Sequence, residues 1–300
     1  MRSVALKRMV LRLVREGISV YAAHTDLDNL DWGVSGALAA ALGLVDCRVL
    51  RPVTGALRKL VTYVPPTHAD KVRQALFDAG AGCIGAYDSC SWTSPGTGTF
   101  RASEGCHPYC GQIGQRHHEP ELRIEVIYEQ RIENALVASL LRSHPYEEPA
   151  YDLIALTNSF AKVGAGMIGT LPRPMDVNDF FAMVKQRLNL PVIRHSKIGT
   201  QKKDFGFWNS KFIIQKVALC GGSGNFLIGD AKASGADIYL TGDLKYHDFQ
   251  AAEGDIILAD VGHYESEQFA KDIIYNVISE KFTTFACQIS EQNKGYVHYI

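Results

Sequence analysis

The stretch that decides the fold is FIIQKVALCGGSGNFLIGDAKASGADIYLTGD (212–243). Its two ends are apolar runs with the length of buried strands, and a glycine-rich turn leads into a helical segment between them. Strand, helix and strand in this order predict an α/β sheet. In open sheets of this class the functional site lies where the strands end. The polar residues that follow the strands are therefore the first candidates for function.

The same alternation continues on both sides of this stretch. The segment YHDFQAAEG (246–254) predicts a short helix, and DIILADVGHY (255–264) predicts a strand that runs into a turn. The remaining predictions for this half are a loop-rich segment at 164–175, a capped helix at 176–188, a strand at 190–196 and an amphipathic helix at 265–282.

The N-terminal region predicts a helix, a strand and a second helix. Residues 3–16 have helical apolar spacing that Gly17 ends. ISVYAA (18–23) predicts a short buried strand, and a polar loop follows it. VSGALAAALGL (34–44) predicts a helix of small residues that packs closely on a sheet.

The middle of the chain has a different pattern. Predicted strands at 57–65, 83–92, 122–128 and 149–156 alternate with helices at 67–80 and 131–143, and 94–100 reads as a glycine- and proline-rich loop or hairpin. The order β-α-β-β-α-β is that of a ferredoxin-like sandwich. We therefore predict an α/β core of residues 1–53 and 158–300, split by an inserted α+β domain at 54–157.

Composition limits the class of protein. Of the 300 residues, 46% are hydrophobic and 21% are charged, and the net charge is -1, so charge indicates neither a nucleic-acid nor a membrane partner. The basic start is interrupted by charged residues and does not resemble a signal peptide. Seven cysteines, an odd number, favour reduced thiols and a cytoplasmic protein.

Two histidines follow predicted strands, each with a carboxylate four positions later. His24 is followed by Asp28, and His263 by Glu267. If a helix begins near Tyr264, Glu267 lies beside His263. Imidazole and carboxylate suit Zn, Mn, Fe or Co. The alternative is structural, with Asp28 and Glu265 capping helices and the histidines bonding backbone carbonyls.

Further polar residues allow a chemical and a structural interpretation. The turn CGGSGNFL (220–227) could bind an anion or could simply need small residues. Asp243, Lys245 and His247 could orient a substrate or act as acid and base groups, or could form a polar loop. A last cluster comprises Cys106, His107, Cys110, His117 and His118. Its spacing is not that of a familiar zinc finger, and EGCHPYCGQIGQ (104–115) favours a glycine-rich loop over a zinc site.

Together these segments resemble the Nif-three-like family, dinuclear-metal proteins often named GTP cyclohydrolase I type II homologues. YAAHTDLDNLDWGVSGALAAALGL (21–44) is similar to the first motif retained here, and LCGGSGNFLIGDAKASGADIYLTGDLKYHDF (219–249) and DVGHYESEQF (260–269) are similar to its C-terminal motifs. GTGTFRASEG, LRIEV and HPYEEPAYDL resemble the extra domain of long members, which is similar to CutA and PII proteins. The resemblance covers essentially the whole chain.

The resemblance implies a dinuclear site. Asp28, His263 and Glu267 match family metal ligands, with Glu267 bridging two divalent ions, and His24 lines the same cleft. His24 and His247 are then candidate proton carriers for a metal-dependent hydrolase with an unknown small-molecule substrate. The family also implies hexameric rings, and hence a homo-oligomer.

One family feature has no match. Members have a pair of adjacent histidines upstream of the His24 motif, whereas His24 is the first histidine here and only 23 residues precede it. Two explanations stay open: the chain lacks an N-terminal segment, or it is a short form with an incomplete site. A further hypothesis is a non-enzymatic metal-binding scaffold or regulator whose inserted domain senses a ligand.

Overall fold

The computed structural model describes residues 4–198, 212–292 and 295–298. The chain divides into two compact units. The split unit comprises Met1–Arg51 and Lys162–Ile300, and the inserted unit comprises Pro52–Ala161. None of the described helices is both long enough and apolar enough to cross a membrane.

The helices and strands are numbered in chain order. The helices are α1 (Val4–Arg15), α2 (Thr25–Asp28), α3 (Val34–Ala41), α4 (Ala69–Asp78), α5 (Glu133–Ser143), α6 (Val177–Leu188), α7 (Ile228–Ala233), α8 (Tyr246–Gln250), α9 (His263–Glu267) and α10 (Ala270–Lys281). The strands are β1 (Val45–Thr54), β2 (Leu57–Val64), β3 (Trp92–Arg101), β4 (Arg116–Glu129), β5 (Tyr151–Ala155), β6 (Ser159–Asp176), β7 (Arg194–His195), β8 (Ile213–Ser223), β9 (Ile238–Gly242) and β10 (Ile257–Asp260).

A six-stranded sheet forms the centre of the split unit, in the order β1-β6-β8-β9-β10-β7. The three strands β8, β9 and β10 are mutually parallel, while β6 and β7 pair antiparallel to them. This arrangement confirms the predicted α/β class. It also brings the carboxyl ends of β8, β9 and β10 to the same edge, where an open α/β sheet places its site.

Both faces of this sheet are buried. Along β8, Val217 and Leu219 pack into one apolar layer, which includes residues of α3 and α6. Ala218 and Cys220 alternate with them and pack into the other layer, which includes residues of α7. Burial on both faces explains why the central strands are continuous apolar runs.

The inserted unit has a four-stranded sheet in the order β3-β4-β2-β5. Its strands pair antiparallel, and with α4 and α5 they follow the predicted order β-α-β-β-α-β. This confirms the ferredoxin-like topology. Leu60, Leu76, Ile124 and Leu136 are fully buried members of the apolar core that joins the two helices to the sheet.

The predicted strand at 18–23 is wrong. The helix before it is confirmed as α1, but residues 18–23 adopt no regular structure, and Tyr21 is 84% exposed. The apolar composition predicted burial, yet a strand also needs a neighbour to pair its backbone groups. None of the described strands pairs with this segment.

Two glycine-rich segments, one predicted as a loop or hairpin and the other as loop-rich, are strands. Residues 94–100 belong to β3, and residues 164–175 belong to β6. Their glycines allow close approach rather than turns. A Cβ on Gly98 would lie 2.1 Å from a carboxylate oxygen of Glu121, and one on Gly166 would lie 2.9 Å from a backbone oxygen.

Two further predictions need correction. The strand predicted at 83–92 is a turn with a single bridge between Ile84 and Tyr87, because Gly82, Gly85 and Ser89 all have positive φ. The helix predicted at 265–282 is interrupted, so that α9 and α10 are separate helices.

Candidate metal centre

The candidate site lies where β8, β9 and β10 end. After β10, Gly262 precedes the first helical residue, His263. His263 and Glu267 are one helical turn apart and project to the same side. The distance from His263 Nε2 to Glu267 Oε2 is 3.3 Å. The predicted pair of imidazole and carboxylate is therefore formed.

The other ring nitrogen of His263 is held by the end of β9. His263 Nδ1 donates a hydrogen bond of 2.6 Å to Asp243 Oδ2. This bond fixes the ring and leaves Nε2 directed at Glu267. A carboxylate behind a histidine is the usual support of a metal-binding imidazole. The sequence predicts Asp243 as a substrate-orienting or acid–base group or as part of a polar loop. Its pairing with His263 joins the ends of the neighbouring strands β9 and β10 and has no local sequence signal.

Two glycines let the strand ends approach α9. A Cβ on Gly222, whose φ is +64°, would lie 2.1 Å from Glu267 Oε1. A Cβ on Gly242 would lie 2.8 Å from the backbone nitrogen of His263. The close approach at Gly222 agrees with the interpretation of the glycine-rich stretch as a turn that needs small residues, because a small residue there leaves room for the carboxylate of Glu267.

We call the region around His263 and Glu267, where β8, β9 and β10 end, the corner. Hydroxyl groups fix the backbone of this corner. The Gly222 N–H donates to Ser266 Oγ at 2.9 Å, and that hydroxyl donates to the carbonyl of His263 at 2.9 Å. The Thr241 hydroxyl donates to the carbonyl of Gly222 at 3.0 Å. Thr241 and Ser266 are both buried, so water does not compete for these bonds.

A buried carboxylate supports the turn after β10. Asp260 accepts hydrogen bonds of 2.9 Å from the backbone N–H groups of Leu244 and Gly262, and it pairs with Arg194. It therefore ties the turn after β9 to the turn that presents His263.

Asp28 and His24, at the two ends of α2, influence the charged groups of this corner electrostatically. Asp28 is the last residue of α2, and His24 immediately precedes that helix. The charges of both residues act on Glu267, and the charges of His24 and His263 act on Asp28. The capping interpretation is not supported, because α2, α3 and α9 begin without a side-chain cap hydrogen bond.

The electrostatics favour a cation at this corner. Burial raises the pKa of Asp28, against the lowering effect of His24 and His263. Burial also raises the pKa of Glu267, which His263 lowers and Asp28 raises. For His263, burial lowers the pKa, but the hydrogen bond to Asp243 and the charge of Glu267 outweigh it and raise the value. Desolvated carboxylates beside an imidazole are groups that a positive ion would stabilise.

The donors at this corner are not tightly gathered. Among the described residues, one set of three potential metal donors has all its atoms within 4.8 Å of one another, and that set lies in the inserted unit. Asp28 therefore faces His263 and Glu267 across a larger gap. The predicted proton carrier His247 is exposed and packs edge-on against Tyr246, and the described contacts do not join it to His263 or Glu267.

The corner opens into a cavity of about 650 Å³. Asp243, His263 and Glu267 line this cavity together with Arg194 and Lys271. The space suffices for a small molecule beside the histidine.

Fold and site define an α/β protein with a candidate metal centre at the carboxyl ends of parallel strands. The family model of Duf34/NIF3 (NGG1p interacting factor 3) matches residues 2–294. The chain belongs to this family.

Relatives and solved structures agree with this assignment. A Halalkalibacterium halodurans protein described as "GTP cyclohydrolase 1 type 2 homolog" is 41% identical over 261 residues, which are 86% of this chain and 67% of that protein. A Bacillus subtilis protein with the same description is 37% identical over 92% of this chain and 70% of its own length. The crystal structure of a Bacillus cereus protein related to NIF3 matches with a TM-score of 0.81 at 33% identity, covering 100% of this chain and 80% of that one.

Proposed function

We propose that the chain binds divalent metal ions through Asp28, His263 and Glu267 and acts as a metal-dependent hydrolase on a small-molecule substrate. The observation that carries the proposal is the contact of 3.3 Å between His263 Nε2 and Glu267 Oε2, which the partly buried carboxyl group of Asp28 faces across a larger gap. The donor set of imidazole and carboxylates suits Zn, Mn, Fe or Co. Asp28, His263 and Glu267 would hold two such ions.

In this proposal some residues bind the metal ions and others transfer protons. Asp28, His263 and Glu267 would hold the ions, and Asp243 orients the imidazole of His263. His24 and His247 are the proposed proton carriers. When bound, divalent ions would supply Lewis-acid chemistry and would lower the pKa of a water molecule. The cavity beside Glu267 receives the substrate. The name shared by the relatives makes a nucleotide such as GTP the first substrate class to examine.

A turnover assay tests the proposal. The full chain, supplied in turn with each of the four metals, is screened for hydrolysis of nucleotides and other phosphate esters. We expect Asp28→Ala and Glu267→Ala to abolish turnover, while Asp26→Ala, an exposed carboxylate on the same helix, retains it. Turnover that survives both substitutions would refute the assignment of the site.

A second candidate is a binding or regulatory protein. The observation that favours it is a separate cavity of about 650 Å³ in the inserted unit, lined in part by the rings of Tyr63, Phe100, Tyr109 and Tyr146. Metabolite binding without turnover, lost on Tyr109→Ala and on deletion of residues 54–157, would support this role. Binding that depends on Asp28 and Glu267 instead would support the hydrolase.

The proposal also covers the cellular location and the self-assembly of the protein. All seven cysteines are free thiols, which suits the reducing cytoplasm. We further propose that the chain assembles with copies of itself, as the family resemblance implies. Light scattering of the purified chain tests this assembly, and a monomer at all concentrations would contradict it.

A further inference from the structure

A second group of potential metal ligands lies in the inserted unit, far along the chain from His263. The sulfur of Cys110, a ring nitrogen of His117 and a carboxylate oxygen of Glu119 all lie within 4.8 Å of one another. The distance from His117 Nε2 to Glu119 Oε2 is 2.7 Å. Among the described residues, this triad is the one set of three such donors that is this compact.

The fold explains why the three side chains meet. His117 and Glu119 are two positions apart on β4 and therefore project from the same face of the sheet. Cys110 belongs to the loop that joins β3 to β4. At Gly111, whose φ is +80°, a Cβ would lie 2.9 Å from the Cβ of His117. The loop thus lies directly against the strand at the position of the imidazole.

The surroundings of the triad favour coordination. All three residues are partly buried, and the side chains of His117 and Glu119 are only 29% and 20% exposed. Phe100 faces His117 across the β3–β4 pair, with ring centroids 5.4 Å apart. Partial burial weakens the competition of water for an ion, and a packed ring restricts the imidazole.

We propose that Cys110, His117 and Glu119 form a mononuclear site for a divalent ion of the zinc type, with water as the fourth ligand. Thiolate, imidazole and carboxylate in one set are typical zinc ligands. Their donors would be roughly 3.3–3.6 Å apart around a tetrahedral zinc ion, given the usual bond lengths. Binding would therefore open the His117–Glu119 contact slightly, and the thiol would release its proton to solvent.

A bound ion would have a structural consequence. It would join the β3–β4 loop to β4. The same loop contributes Cys106, Pro108 and Tyr109 to the wall of the cavity in this unit. Metal binding would therefore fix one wall of that cavity in place.

Cobalt spectroscopy of the full chain tests the proposal, because a thiolate bound to Co²⁺ gives a sulfur-to-metal charge-transfer absorption that nitrogen and oxygen donors do not. We expect the wild-type chain to develop this absorption with Co²⁺ and to lose it when Zn²⁺ is added. Cys110→Ser and His117→Ala should abolish it, and Glu119→Gln should weaken it.

Matched controls distinguish this site from the other groups of the chain. Cys106 lies in the same loop, and His118 is the neighbouring histidine on the opposite face of β4. Cys106→Ser and His118→Ala should therefore both keep the absorption. Glu267→Ala should keep it as well. Circular dichroism confirms that each variant is folded. A wild-type chain without the absorption, or an absorption that persists in folded Cys110→Ser, would overturn the proposal.

Discussion

The corner around His263 and the triad around Cys110 bring potential metal donors together in different ways. At the corner the helix after β10 carries His263 and Glu267, α2 carries Asp28, and the glycine backbone of β8 makes room for Glu267. In the triad one strand supplies two donors and a loop supplies the third. The corner uses only nitrogen and oxygen atoms, whereas the triad adds a thiol.

This difference teaches where each site is vulnerable. The corner depends on the backbone, because hydrogen bonds that Gly262 and Gly222 donate to the side chains of Asp260 and Ser266 fix the turns that present its side chains. The triad depends on how closely one loop lies against β4. Substitutions in the scaffold of the corner should therefore leave the triad intact, and substitutions in the triad should leave the corner intact.

The largest effect is expected from Asp260→Ala. It removes the acceptor of the Leu244 and Gly262 N–H groups and the partner of Arg194. Each buried N–H group left without an acceptor costs about 1–3 kcal/mol. Urea unfolding should show a loss of this order. Asp260→Asn keeps one acceptor oxygen and should lose less, and an equal loss in the two variants would contradict the assigned hydrogen bonds.

Gly222→Ala should damage the corner next. A residue other than glycine at this positive φ costs about 1–2 kcal/mol, and the new methyl group would collide with Glu267. We expect a lower melting temperature and loss of the metal bound at the corner, with the cobalt absorption of the triad unchanged.

Gly229→Ala is the control for this substitution. Gly229 lies in α7 with open space around it, so alanine there should stabilise the helix by about 0.8–1.0 kcal/mol. If both substitutions affected metal binding equally, the close approach at Gly222 would not be the cause.

Asp243→Asn should weaken metal binding without unfolding the chain. It exchanges the carboxylate that accepts from His263 Nδ1 for an amide. Loss of such a supporting carboxylate typically reduces metal affinity by about 10–100-fold. Competition with a metal-binding dye measures this change. An unchanged affinity would mean that His263 does not bind metal through Nε2.

The smallest expected effect is a change in folding stability with pH, caused by His144 in the inserted unit. Burial lowers the pKa of His144, and the N–H of Tyr146 donates to its Nδ1, so protonation would break that bond. The unfolded chain takes up this proton near pH 6.5. Stability present above about pH 6.5 should therefore decline as the pH falls.

Melting temperatures between about pH 5 and pH 8 check this sign. His144→Gln should flatten the profile, whereas His118→Gln, at an exposed position of the same unit, should leave its slope unchanged. A profile that is equally steep in His144→Gln would assign the pH dependence to other groups.

The sequence predicts the alternating half of the split unit well, because buried parallel strands are continuous apolar runs that end at polar turns. The pair of His263 and Glu267 was predictable because the two residues are four positions apart, and helical spacing alone places their side chains together.

Other features depend on contacts between distant segments. The glycines of β3 and β6 read locally as turns, although they allow close approach by Glu121 and by the neighbouring strands. The partnership of Asp243 with His263 arises only when β9 and β10 lie side by side. Glu119 completes the triad, but its spacing from Cys110 predicts no contact. The two side chains meet only because the β3–β4 loop folds back against β4.

Metal content per chain tests the central claim most directly. Elemental analysis is applied to the full chain, to His263→Ala, to Glu267→Ala and to the control Glu265→Gln, with cobalt absorption recorded in parallel. The account predicts about three ions per chain in the wild type and in the control, two at the corner and one at the triad. It also predicts that the two corner ions are lost in His263→Ala and Glu267→Ala, while the ion at the triad and its thiolate absorption remain. Equal metal content in all four chains would contradict the metal centre at His263.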